Sequence, residues 1–261
     1  MISVRNLAKS YGTNEVVKNI SFYVNQGEIF AFLGPNGAGK TTTIKMLTTT
    51  LRPSSGTIEL DGINSESHQM AARKSFGIVF QDPSLDGEQT ALENMAMQGV
   101  LYRVPKSQRV ERIELLLKTF ELWDERKSYV KAFSGGMKRR LEIARGLLHK
   151  PKILFLDEPT LGLDPQSRNK LWAHIKHINT TEKTTIFLTT HYMDEVERAV
   201  HRIAIIDHGR LIAQGTTAQL KDQTNTDSLE DAFLVLTGAS LRDEKATRPD
   251  SSQQLAQMWK S

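Results

Sequence analysis

Residues Gly34-Pro35-Asn36-Gly37-Ala38-Gly39-Lys40-Thr41 spell G-x-x-x-x-G-K-T. Glycines in such a run let backbone N–H groups converge on an anion, and a following helix adds the positive end of its dipole. Lys40 is placed to reach the β- and γ-phosphates of a nucleotide such as ATP. The Thr41 hydroxyl is placed to ligate Mg²⁺, and Thr42 stands beside it at the helix start. The pattern carries this meaning only between a strand and a helix. The stretch GEIFAFLGPNGAGKTTTIKML has that form, with a buried run at Ile29–Leu33 before the loop and a helical run after it.

Phosphate transfer with Mg²⁺ also needs a carboxylate at the end of a neighbouring buried strand. ILFLDE supplies Asp157 as the metal ligand, directly or through water, and Glu158 as a general base for the attacking water. Successive strand residues point opposite ways, but at the strand's end the chain turns and both can face one site. His191 follows TIFLTT, and Gln81 closes GIVFQ. Both stand where an open α/β sheet binds ligands, at the C-terminal ends of strands. The imidazole can donate to a γ-phosphate or orient water, and the amide can ligate Mg²⁺ without adding charge. The expected metal set is Thr41, Gln81 and Asp157. The expected catalytic set is Glu158, His191, Gln81 and Lys40.

A second anion-reading loop stands at FSGGMKRRLEIARG, Phe133–Gly146. Ser134, Gly135 and Gly136 form a small flexible loop at the head of a cationic helix. The first loop already wraps the γ-phosphate of its own chain, so the second is free to serve another subunit's nucleotide. Two copies head to tail would trap two ATP molecules by two-fold symmetry, and hydrolysis would release the dimer. Along the helix, Met137, Leu141, Ala144 and Leu148 share one face and read as core. Lys138, Arg139, Arg140 and Arg145 read as a solvated face, with a Lys138–Glu142 pair.

These residues need a sheet to hold them. ISVRNLAKSY, VVKNISFYV and GTIELDG read as strands. FGIVFQ, KILFLDE, TTIFLTTH and HRIAIIDHGRLIAQG supply more, with helical spacing in between. Strands alternating with helices imply an α/β fold with a mainly parallel sheet covered on both faces. The block from 82 to 150 reads as a helical insertion into it. DSLEDAFLVLTG reads as a short helix, boxed by Asp227 and Glu230 and ended by Gly238, with a loose polar tail beyond. The expected domains are 1–222 for the nucleotide core and 223–261 for that helix and tail.

Composition agrees with a globular chain: 39% of its 261 residues are hydrophobic and 25% charged. There are no cysteines, which excludes disulfides and thiolate metal sites. No apolar run approaches the ~20 residues that span a bilayer, and MISVRNLAKSYG has no signal-peptide core. Net charge is +4, with basic residues scattered among nearly as many acidic ones, which reads as a mildly basic surface; no nucleic-acid partner is expected.

The motif set, in its order, resembles the ATP-binding subunits of ATP-binding-cassette (ABC) transporters over nearly the whole chain, from Ile2 to Gly238. GPNGAGKT corresponds to the Walker A loop, ILFLDE to Walker B and FSGGM to the signature loop. Gln81 corresponds to the Q-loop, LGLD (Leu161–Asp164) to the D-loop and His191 to the switch histidine. Tyr11, in KSYG, matches the aromatic that stacks on adenine. FSGGMKRRLEIARGLLHKPKILFLDEPTLGLDP and DSLEDAFLVLTG look most like daunorubicin-resistance-type multidrug exporter subunits.

The resemblance implies a P-loop NTPase (RecA-like) core with an N-terminal antiparallel β subdomain and an inserted helical subdomain. It also implies a homodimer and a separate membrane permease, with the chain peripheral on the cytoplasmic face. The permease docks at the cleft after Gln81, and Asp164 shapes the site across the interface. Met137 departs from the glutamine common in the signature and cannot donate that amide's hydrogen bond. An alternative is an ABC ATPase acting on ribosomes or DNA, but the paired cassettes or long coiled-coil insertion usual there are not visible. A P-loop kinase would leave FSGGM and His191 without a role.

Overall fold

Alternation of side chains along the strands sorts the molecule into two sheets, seen in a computed structural model that describes residues 1–238. The polar stretch from Ala239 on, Trp259 included, lies outside these residues. β1 (Ile2–Tyr11) and β2 (Asn14–Val24) bury alternate positions such as Ile2, Val4, Phe22 and Val24. With β4 (Ser55–Leu60) and β5 (Ile63–Asn64) they form an antiparallel sheet in the order β2-β1-β4-β5.

β3 (Ile29–Leu33), β7 (Ile153–Asp157) and β8 (Thr185–Thr189) are instead buried at every position, as strands covered on both faces must be. They belong to a second sheet with β6 (Phe76–Val79), β9 (Arg202–Asp207) and β10 (Arg210–Gly215). Its order is β10-β9-β3-β8-β7-β6, parallel except for the β9–β10 hairpin at its edge.

Period two divides each central strand between two cores. Phe30, Phe32, Phe155 and Phe187 face the antiparallel sheet, where Phe22 joins them with ring centroids 5.5–6.0 Å from Phe30, Phe32 and Phe187. α1 (Lys40–Leu47) packs in that core through Ile44, Met46 and Leu47. Ile29, Ala31, Leu33, Leu154, Leu156 and Leu188 face the other core. There they meet α6 (Pro165–Glu182) and three helices between β6 and β7: α3 (Ala91–Leu101), α4 (Lys106–Thr119) and α5 (Gly135–Gly146). α2 (Gln69–Ser75) leads into β6. α5 crosses β6 at a pair of glycines: a Cβ on Gly77 would overlap the Gly146 carbonyl.

α7 (Met193–Ala199), α8 (Thr217–Thr224) and α9 (Leu229–Thr237) close the described chain, and α9 packs on α7, α8 and β10. Gly238 ends α9 at φ 62 as expected, but the box of Asp227 and Glu230 does not form. Ser228 caps the helix instead, accepting the Asp231 N–H at 3.0 Å and donating to its carboxylate at 2.7 Å. The register is one residue later because Ser228, not Asp227, takes the extended N-cap conformation. Among the described residues no helix is long and apolar enough to cross a membrane.

Candidate active site

The loop between β3 and α1 is shaped by what its glycines lack. A Cβ on Gly34 would overlap the Ile206 carbonyl, and Gly39 turns the chain into α1 at φ 109. Ala38 is buried and its carbonyl accepts the Gly209 N–H at 3.0 Å, which ties the loop to the β9–β10 hairpin. Lys40 Nζ donates to the Gly34 carbonyl at 2.6 Å and the Pro35 carbonyl at 3.1 Å. Burial lowers the pKa of this ammonium, against the pull of Glu158 and Asp157.

Because β3, β8, β7 and β6 are successive neighbours, their C-terminal ends set four expected elements side by side. These are the loop, His191, the Asp157–Glu158 pair and Gln81. Asn36, Gly37, Gly39, Lys40, Thr41 and Thr42 line a cavity of ≈ 220 Å³, and Gln81, Asp157 and Glu158 complete it. A second cavity, of ≈ 510 Å³, adjoins it through Asn36, Gln81 and Glu158, with Gly34, Pro35 and His191 in its wall.

Asp157 shares the parity of Phe155 and so points to the α1 side of the sheet. It is buried, and its Oδ1 accepts the Thr189 hydroxyl at 2.6 Å. Glu158 reaches the same cavity because its backbone is left-handed, φ 48, which turns the chain at the end of β7. Its N–H donates to both the carbonyl and the hydroxyl of Thr189, each at 3.1 Å. Its Oε2 lies 3.0 Å from His191 Nδ1. Burial raises the pKa of this carboxyl, against the pull of His191 and Lys40. Thr41, Gln81 and Asp157 offer a hydroxyl, an amide and a carboxylate on one cavity, the hard oxygen set that suits Mg²⁺ with phosphate and water as further ligands. Among the described residues no three His, Cys, Asp or Glu side chains are grouped for a metal, so an ion here depends on those other oxygens.

Other expected residues stand elsewhere. Ser134, Gly135 and Gly136 line neither cavity. They are not a flexible loop: the helix begins at Gly135, and Ser134 caps it by accepting the Met137 N–H at 3.2 Å. A Cβ on Gly136 would stand 2.8 Å from Ser167 Oγ, whereas one on Gly135 would meet none of the described residues within 4 Å. Asp164 caps α6, and hydrogen bonds from Ser167 hold its carboxyl below the usual range. Tyr11 is half exposed at the end of β1, opposite Asn14, with the Lys9 ammonium 5.3 Å from its ring centroid.

Three features lie outside the sequence reading. Val16 of β2 lines the first cavity. Glu230, Phe233 and Leu234 of α9 line the second, a placement with no local signal beyond the helix's apolar face. The third is a correction on α5. Arg139 is not solvated, and Glu142 pairs with it, Nη1 to Oε2 at 3.2 Å, rather than with Lys138. The close approach at Gly77 and Gly146 buries that side of the helix against the start of the 80–84 segment. Ile143, apolar on the supposedly solvated side and also buried, is the signal that could have revealed it.

A family model described as ABC transporter matches residues 17–161. The chain is 40% identical over 243 residues to the linearmycin resistance ATP-binding protein of Bacillus subtilis (strain 168), covering 90% of this chain and 78% of that protein. It is 42% identical over 228 residues to the daunorubicin/doxorubicin resistance ATP-binding protein of Streptomyces peucetius, covering 87% and 69%. Among solved structures, a dimeric ATP-binding cassette in a post-hydrolysis state, bound to ADP and Pi, superposes with a TM-score of 0.75 at 26% identity, over 83% of this chain and 98% of that one. The family match holds Asn36–Thr42, Gln81, Asp157 and Glu158 of the first cavity, and the chain belongs to the ABC transporter family, as an ATP-binding subunit that hydrolyses ATP.

Proposed function

We propose that two copies of this chain close around two ATP molecules and drive a separate membrane permease that exports a drug-like or lipid-like compound. The observation that carries the reading is the separation of Ser134–Gly136 from the nucleotide cavities of their own subunit. Among the described residues no atom stands within 4 Å of a Cβ on Gly135, and a bare, exposed backbone there suits close approach by a partner.

In each subunit the Gly34–Thr42 loop and Lys40 hold the phosphates, and Tyr11 stacks on the adenine. Thr41, Gln81 and Asp157 would hold Mg²⁺, which would supply positive charge against the phosphate oxygens. Glu158 takes a proton from the attacking water; its raised pKa makes it a better base. His191, 3.0 Å away, fixes the direction of that carboxylate and reaches toward the γ-phosphate. From the partner, the Ser134 oxygen already accepts the Met137 N–H, which leaves the hydroxyl proton free to be donated to the γ-phosphate. The Gly135 and Gly136 N–H groups belong to the first helical turn and have no intrahelical acceptor. Asp164 completes the site across the interface.

The permease docks along Leu85–Met97, where Leu92 and Met97 are exposed on α3; an apolar coupling helix fits such a face. The reading places the chain peripherally, on the cytoplasmic face of the membrane. The relatives' names, resistance to linearmycin and to daunorubicin/doxorubicin, favour drug export.

Light scattering on Glu158→Gln tests the dimer. The expected result is a dimer with Mg-ATP, a monomer with ADP, and a monomer with Mg-ATP once Ser134→Arg is added. A dimer that survives Ser134→Arg, or that forms equally well with ADP, overturns the role given to the signature loop.

A further inference from the structure

Ser134 and Gly135 are exposed at the head of α5, while its second and third turns grip the chain's own site. Arg139 is buried on the side turned to β6 and β7. Its guanidinium donates to three main-chain oxygens: Phe80 at 2.7 Å, Gln81 at 3.2 Å and Glu158 at 3.3 Å. Glu142 Oε2 balances the charge at 3.2 Å, and Glu142 Oε1 accepts the Ser84 N–H at 2.8 Å. Arg145 donates to the Ser84 carbonyl at 2.8 Å and to the Ser84 hydroxyl. One helix thus holds the 80–84 segment at both ends, together with the carbonyl of the catalytic glutamate.

Two features make these bonds more than packing. Glu158 is left-handed, a conformation that a non-glycine residue keeps only when its surroundings impose it. Thr189 fixes its N–H, while its carbonyl is held by Arg139 and by the Leu161 N–H at 3.2 Å. A guanidinium fork can bridge several carbonyls from one point, and a lysine ammonium cannot reproduce that geometry. Arg139 also rides on the helix that Ser134 caps. A shift of α5 on meeting the partner's nucleotide therefore carries the guanidinium with it.

We infer that Arg139 is a positioning residue for hydrolysis: it holds Gln81 and Glu158 in their working geometry from the signature helix, and so ties one nucleotide site to how its subunit is seated on the other. The second clause rests on the trans role proposed for Ser134; the first does not.

The test uses steady-state ATPase and thermal unfolding of the full chain. In Arg139→Lys the ion pair to Glu142 is kept and the fork is lost. In Arg139→Met/Glu142→Leu both buried charges go together, which avoids stranding either one. Both variants should lose at least about tenfold in kcat, as a misplaced catalytic group does, with KM for ATP held within about twofold. The double variant, which also removes the acceptor of the Ser84 N–H, should still unfold in one cooperative transition.

If either variant keeps the parent kcat, Arg139 is a packing residue and the inference is overturned. Added to Glu158→Gln, the double substitution should leave the Mg-ATP dimer intact. Loss of that dimer would assign Arg139 to assembly and also overturn the inference. If instead the dimer withstands Ser134→Arg while both Arg139 variants lose kcat, the trans reading fails and Arg139's hold on its own Glu158 stands.

Discussion

His149 shows how far a single side chain is set by burial. Its ring stacks on Tyr102 with centroids 3.8 Å apart, and its Nε2 lies 2.9 Å from the Phe76 carbonyl. Burial pushes its pKa from 6.5 down to about 4. Below pH 6.5 the unfolded chain takes up a proton that the folded chain refuses, so the contribution of this residue is full above 6.5 and is lost as pH falls towards 4. Urea midpoints measured across that range should fall on acidification, and His149→Gln should flatten that part of the fall. At this scale the sequence was legible where chemistry is local. Lys40, Thr41, Asp157 and Glu158 stand where spacing and strand ends put them. Arg139 was not legible, because what decides its burial is a glycine contact between segments some seventy residues apart.

The elements followed from apolar period. Fully buried β3, β7 and β8 read as continuous runs, and β1 and β2 as alternating ones. Element ends were less legible, because neighbouring residues compete for one cap: Asp227 and Ser228 are both good N-caps, and only the packed helix chooses. The signature segment is the clearest case. Its glycines suggested a loose loop, yet Ser134 caps a helix that starts at once. α3 carries its own consequence. Leu92 and Met97 are exposed on a helix whose other face is packed. Leu92→Glu with Met97→Glu should abolish export through the permease while ATP binding, measured by equilibrium titration, stays at the parent level. Transport that continues normally would move the docking site elsewhere.

At the scale of the molecule, strand order does what no motif does alone. Walker A, the switch histidine, Walker B and the Q-loop come from four successive strands of one sheet, although the chain visits them in a different order. That arrangement was available from the sequence only through the family resemblance, since long-range pairing leaves no mark in local composition. The glycine crossing of α5 over β6 is equally global. Gly77→Ala would drive a Cβ into the Gly146 carbonyl. The expected cost is about 1–3 kcal/mol, as in other overpacked cores, read as a lower urea midpoint, with kcat falling while KM for ATP stays near the parent value.

The same crossing makes α5 a lever. Its far end is pinned against β6 at Gly146, and at its near end a Cβ on Gly135 would meet none of the described residues within 4 Å. The helix has 12 residues, so its arm is roughly 18 Å long, and a 10° tilt about the pinned end carries the tip by about 3 Å. Arg139 lies a little over halfway out along that arm. In the dimer proposed above, the partner's phosphate works at the long end of that arm, and the chain's own glutamate feels a reduced stroke.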